Sequence, residues 1–163
     1  MLNAALPPRR LPSVREAVPL LTMLFGTDID CKPRKEPLAA KDCMVVATYS
    51  DNTGKIQRLL ACDLAFANSA GAALSAIPPA AANNATKAGK LADNVVENLS
   101  EVMNVAVNLL IESFGSRLEL ISVLNVADAT PQTIAALSSA QRVKIDITIP
   151  RYDVGRLDII SVS

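Results

Sequence analysis

The end of the chain constrains the fold more than any other part. "RVKIDITIP" at 142–150 places Val143, Ile145, Ile147 and Ile149 at every second position, and "RLDIISVS" at 156–163 does the same with Leu157, Ile159 and Ser161. A period of two sends successive side chains to opposite sides of an extended strand, so each run carries one apolar face. The β-branched residues suit a pleated surface, and "RYDVG" between the runs reads as a turn. The result is a pair of antiparallel strands whose apolar face needs a cover.

The cover is predicted upstream. Ser13 precedes Glu16 by three, the capping-box spacing, and opens "SVREAVPLLTMLFG". This segment reads as a helix ending at Gly26, with Pro19 either kinking it or shifting its start. "TDIDCKPRKEP" reads as an extended connector. "CMVVATY", "SDNTG" and "KIQRLLACD" read as strand, turn and strand, a hairpin. Asp63 can cap the next helix, "LAFANSAGAALSAI", which stops before Pro78 and Pro79. The stretch 78–90 is either a linker or a short helical turn. A long helix is expected from about Ala92 to Glu112, ending near Gly115. "RLELISVLNV" then reads as a strand, and Thr130–Pro131 suit the start of a short helix. The expected architecture is α+β: an antiparallel sheet with two long helices packed on one face. Residues 1–12, with Pro7, Pro8 and Pro12, are expected to be a flexible lead to a single domain over 13–163.

Composition narrows the function classes. Half of the 163 residues are apolar but only 3% are aromatic, so the core must be built from Ala, Leu, Val and Ile. Lys plus Arg equals Asp plus Glu, at 16 each. Zero net charge and no tryptophan argue against a nucleic-acid partner, which needs a basic patch and stacking platforms. There is no histidine, so histidine acid–base and triad chemistry is excluded. Cys31, Cys43 and Cys62 are widely spaced with no CxxC, so no zinc site is expected and the thiols should be reduced and partly buried. The two aspartates of "GTDIDCK" read as a solvated loop. P-loop, GxGxxG and GxSxG motifs are absent. A small-molecule-binding domain would need a deep apolar pocket with a few polar groups, and no such constellation is visible. "MLNAALPPRRLP" makes a poor signal peptide, and no run of about 18 apolar residues exists. The expected location is the cytoplasm, without a membrane partner.

The long helix holds the candidate site. At about 100° per residue, Glu97, Glu101, Asn104, Asn108 and Glu112 share one narrow arc. Val96, Leu99, Met103, Ala106, Val107 and Leu110 lie opposite and are expected to face the core. Val105 and Ile111 flank the polar line. A solvated stripe normally mixes cations with glutamates in i,i+4 pairs. From Asp93 to Glu112 there is none. Three asparagines, Asn98, Asn104 and Asn108, also fall within eleven residues, although asparagine is a middling helix former. A carboxamide beside a carboxylate can donate and accept hydrogen bonds without titrating.

"LSEVMNVAVN" contains E-x-x-N, from Glu101 to Asn104. This stretch resembles the active helix of the CheC/CheX/FliY chemotaxis phosphatases. The resemblance extends from about Ser13 to the C-terminus: an opening helix ending "LFG", the hairpin, a short helix, the E-x-x-N helix, and terminal strands ending "YDVGRLDIIS". "EAVP" at Glu16–Pro19 stands where double-site members carry a second E-x-x-N, so the likeness is to the single-site CheX type. It implies a homodimer and a phosphatase of CheY-type response regulators. Asn104 would place the attacking water, and Glu101 would bind a lysine of the receiver. Glu97, Val105, Asn108 and Ile111 would support docking. No cofactor is implied on this chain; Mg²⁺ is expected on the partner receiver. "VAVNLL" follows Asn104 where the family carries smaller residues. That difference suggests an alternative, a non-catalytic CheX-like binding or dimerisation module.

Overall fold

The two terminal strands do pair, and their apolar faces are covered. A computed structural model describes residues 9–93 and 95–162. The elements run α1 (Val14–Phe25), β1 (Asp30–Pro33), β2 (Val45–Ser50), β3 (Ile56–Cys62), α2 (Leu64–Leu74), α3 (Pro79–Lys87), α4 (Val95–Phe114), β4 (Glu119–Asn125), α5 (Pro131–Ala136), β5 (Arg142–Thr148) and β6 (Gly155–Ser161). The strands form one sheet in the order β1-β5-β6-β3-β2-β4. Every neighbouring pair is antiparallel. Ile145 lies opposite Leu157 and Val143 opposite Ile159, so the two alternating runs share one face, as expected.

One expected connector is a strand. Cys31 pairs with Ile147 and Pro33 with Ile145, so part of "TDIDCKPRKEP" forms the sheet edge. An edge strand is bonded on one side only. It needs no alternating apolar face and tolerates a proline, so its sequence resembles a loop.

α1, α2 and α4 cover one face of the sheet, over a core that includes Tyr49, Leu60, Ile145 and Ile159. α1 begins with the expected capping box: Glu16 N–H donates to Ser13 Oγ at 3.1 Å, and Ser13 N–H donates to Glu16 Oε1 at 3.2 Å. Its start is therefore Val14, and Pro19 lies inside the helix. Asp63 caps α2 by accepting from Phe66 N–H at 2.9 Å, and it also holds Arg156 on β6. A Cβ at Gly155 would fall 2.5 Å from Phe66 Cα, so only glycine lets β6 pass beneath this first turn. α2 also lies close to α4, where a Cβ at Gly71 would meet Val95 at 3.1 Å. A small apolar void of about 20 Å³ remains under α1 and α4, beside Leu21, Leu60 and Met103. Within the stretch 78–90, Pro79–Lys87 form the helix α3, with Pro79 in its first turn.

The opposite face of the sheet has a smaller core around Val46, Leu59 and Ile160, partly covered by α5 and Leu38. Here the fully buried Asp158 is paired with Arg34 and Arg142, and it accepts Leu38 N–H at 2.8 Å. The hydrogen bonds and paired charges offset the cost of desolvating that carboxylate.

Of the expected lead over residues 1–12, residues 1–8 lie outside the described residues. Residues 9–12 contact the domain. Pro12 is buried, Leu11 packs on the core, and Arg10 N–H donates to Ser113 O at 3.4 Å. Arg9 and the buried Arg58 both lie on the ring of Phe114, at 4.2 and 4.8 Å from its centre. This stack fixes the C-terminal end of α4.

Candidate functional site

α4 is an amphipathic helix whose buried arc is set by α2 and the sheet. Leu99, Met103, Ala106 and Leu110 are buried, as expected, together with Val95, Val102 and Phe114. Val96 is not: it is 39% exposed rather than in the core. The close approach at Gly71 draws Val95 inward at the start of the helix and turns its neighbour outward. Val107 is half-buried at the margin of the arc.

The opposite side of α4 forms one exposed polar face. Glu97, Glu101, Asn104, Asn108 and Glu112 are all exposed, and Val105 and Ile111 are half-buried beside them. Among the described residues, the side chains of Glu97, Glu101, Asn104 and Asn108 have no hydrogen-bond or ion-pair partner. Asn98 is different. Its side-chain amide donates to Gly71 O at 2.9 Å, so this asparagine ties α4 to α2. Glu101 and Asn104 are one turn apart, a spacing that places Cβ atoms about 5–6 Å from each other. They present an acceptor and a neutral donor–acceptor to the same volume of solvent.

The thiols offer no competing nucleophile. Cys31, Cys43 and Cys62 are all free, and burial pushes each thiol up, Cys43 to about 11. They stay protonated at neutral pH. No three His, Cys, Asp or Glu side chains converge on a metal position among the described residues. A cleft of about 550 Å³ opens on the opposite sheet face near Leu38, Leu137 and Arg142, but it contains none of the candidate residues.

No protein-family model matches the chain, and no curated protein does. Solved structures do. The middle domain of FliM from H. pylori superposes with a TM-score of 0.61 at 10% identity, over 91% of this chain and 84% of that one. CheX from Borrelia burgdorferi, in a complex with CheY, BeF₃ and Mg²⁺, superposes with a TM-score of 0.53 at 11% identity, over 90% of this chain and 92% of that one. The chain has the CheX-like fold. At such identity the likeness establishes architecture, and function must be argued from the site. The H. pylori FliM is also known in a complex with FliG, which matches at a TM-score of 0.55 and 10% identity, over 91% of this chain and 87% of that one.

Within the CheX-like fold, all six residues singled out in the sequence lie on one helix and one face. One contact behind them was not visible in the sequence. The buried Tyr49 on β2 donates its hydroxyl to the carbonyl oxygen of Met103 at 2.6 Å. The available signal was a tyrosine in a buried strand, whose O–H must find an acceptor. The acceptor is a backbone atom 54 residues away, which no side-chain pattern reveals. No helix among the described residues is long and apolar enough to cross a membrane.

Proposed function

We propose that this protein dephosphorylates the aspartyl phosphate of a CheY-type response regulator, with Asn104 positioning the water and Glu101 docking the receiver. The observation that carries this reading is the exposed Glu101–Asn104 pair on α4 of a CheX-like fold, without a partner among the described residues. The receiver brings the phosphorylated aspartate and its Mg²⁺. What remains for the phosphatase is to place a water in line and supply docking energy. Asn104 inserts its carboxamide beside the phosphoryl group and holds the water by donor and acceptor together. Glu101 accepts a charge-assisted hydrogen bond from a lysine of the receiver. Glu97 and Asn108 extend the polar contact, and Val105 and Ile111 add apolar area. The protein works as a cytoplasmic homodimer. The free edge of β4 supports the dimer, because it carries the exposed Ile121 and Leu124 beside an unpaired backbone.

The test is loss of phosphoryl from phosphorylated receivers of the same organism. Asn104→Ala is expected to slow it by about tenfold or more. Stability should change little, because the side chain is exposed. Full activity in this variant would rule out the water-positioning role.

A second reading is a non-catalytic binding or dimerisation module. It is favoured by the FliM middle domain, which superposes at least as well and was crystallised with FliG. It predicts that the wild type binds a receiver or another partner while leaving the phosphoryl group in place.

A further inference from the structure

We infer that Tyr49 is the positioning residue for Asn104; the inference rests on the reading of α4 proposed above. Three observations converge on it. Tyr49 is fully buried, and its hydroxyl donates to Met103 O at 2.6 Å. That carbonyl belongs to the peptide unit joining Met103 to Asn104. Among the described residues this is also the only hydrogen bond from the sheet to α4.

The pairing of β2 with both neighbours shifts register at this residue. Pairing with β4 shifts between Thr48 and Tyr49: Thr48 lies opposite Ser122, Tyr49 opposite Leu120, and Ile121 is left over. Pairing with β3 shifts between Tyr49 and Ser50: Tyr49 lies opposite Arg58, Ser50 opposite Ile56, and Gln57 is left over. The extra residues belong to the neighbours, Ile121 on β4 and Gln57 on β3, so a bulge on each flank disrupts the ladder beside Tyr49. β2 is paired on both flanks, and the two bulges bracket one residue, the one that reaches α4.

The hydroxyl has a specific consequence. In a regular helix the Met103 carbonyl accepts the amide of Val107. A second donor, fixed by a rigid ring inside the core, holds the plane of the Met103–Asn104 peptide. Rocking of that plane would swing the Asn104 side chain across the face where it holds water. Displacement of about 1 Å near reacting atoms can cost a hundredfold in rate. Phenylalanine would fill the same volume without a polar group to desolvate, so packing does not account for the O–H. Burial also pushes the phenol well above its ordinary value, so it stays a donor at any physiological pH.

The experiment compares Tyr49→Phe with Asn104→Ala on a phosphorylated receiver, well below the unfolding temperature of each variant. Tyr49→Phe should lower kcat by about two- to tenfold, the worth of one hydrogen bond, with KM for the receiver unchanged. The backbone amide and side-chain NH₂ resonances of Asn104 should broaden. A merely structural role would lower the thermal midpoint and leave kcat and these resonances alone. If Asn104→Ala loses activity while Tyr49→Phe keeps its kcat and sharp Asn104 resonances, the inference is overturned and the reading of α4 stands. If Asn104→Ala keeps full activity, the reading of α4 fails and the inference falls with it.

Discussion

α1 and α4 lie in contact on the same face of the sheet, and each carries a glutamate followed three residues later by a telling residue. On α1 these are Glu16 and Pro19; on α4 they are Glu101 and Asn104. Glu16 is fully engaged. It accepts the amide and hydroxyl of Ser13 and forms a two-pronged pair with Arg10 at 2.7 and 2.9 Å. Among the described residues Glu101 has no partner. A carboxylate at a helix start stabilises its own helix by satisfying orphan amides. A carboxylate in the middle of an exposed face has no such duty, and asparagine beside it adds no helix propensity. The same residue type is thus structural on one helix and available on the other. The difference lies in position along the helix.

The strongest way to break this contrast is to rebuild the motif on α1. Placing Pro19→Asn in the Asn104→Ala background recreates E-x-x-N at Glu16. The double variant should remain about tenfold or more below wild type, because Glu16 is held by Ser13 and Arg10 and cannot turn to a receiver. Recovery of the rate would show that engagement of Glu16 does not decide which helix acts. Next in size is Glu101→Gln, which keeps the shape and removes the charge. One charge-assisted hydrogen bond to a lysine predicts receiver binding weaker by about tenfold or more, with kcat nearly unchanged. An unchanged dissociation constant would remove the anchoring role.

A smaller effect tests the structural helix. Ser13→Ala removes the acceptor for Glu16 N–H and should cost about 1 kcal/mol in urea unfolding. The rate of phosphoryl loss at 25 °C should be that of wild type. A fall in rate would mean that α1 contributes to the site after all.

These two helices also show what a sequence can reveal. The caps Ser13, Asp63 and Thr130 were all visible, because a cap acts on amides two or three residues away. The exposed arc of α4 followed from 100° per residue alone. Contacts distant along the chain were hidden. β1 looked like a connector because an edge strand needs no apolar alternation. Helical angle places Val96 in the core, but it says nothing of where α2 crosses, which is fixed by Gly71 and Val95. Asp158 meets Arg34 across 124 residues, and Tyr49 meets a backbone carbonyl across 54. Such pairs exist only once the sheet order is known.

The smallest expected effect is also the most direct measure of how Glu16 is used. The Arg10 hydrogen bond, then that of the Ser13 amide, pulls its carboxyl from an ordinary 4.5 down to about 2. A group with a lower pKa in the folded state binds fewer protons there than in the unfolded chain. Its contribution to stability is therefore complete above about pH 4.5 and is lost as the pH falls towards about 2. Solvent at this exposed pair screens the attraction, so the effect is modest and should shrink with added salt. Glu16→Gln should thus unfold at lower urea than wild type at pH 7, and the gap should close as the pH falls from 4.5 to about 2. A gap that stays constant across that range would mean that Glu16 stabilises α1 through neutral hydrogen bonding. The charge on Arg10 would then be incidental, and the contrast with Glu101 would rest on the cap alone.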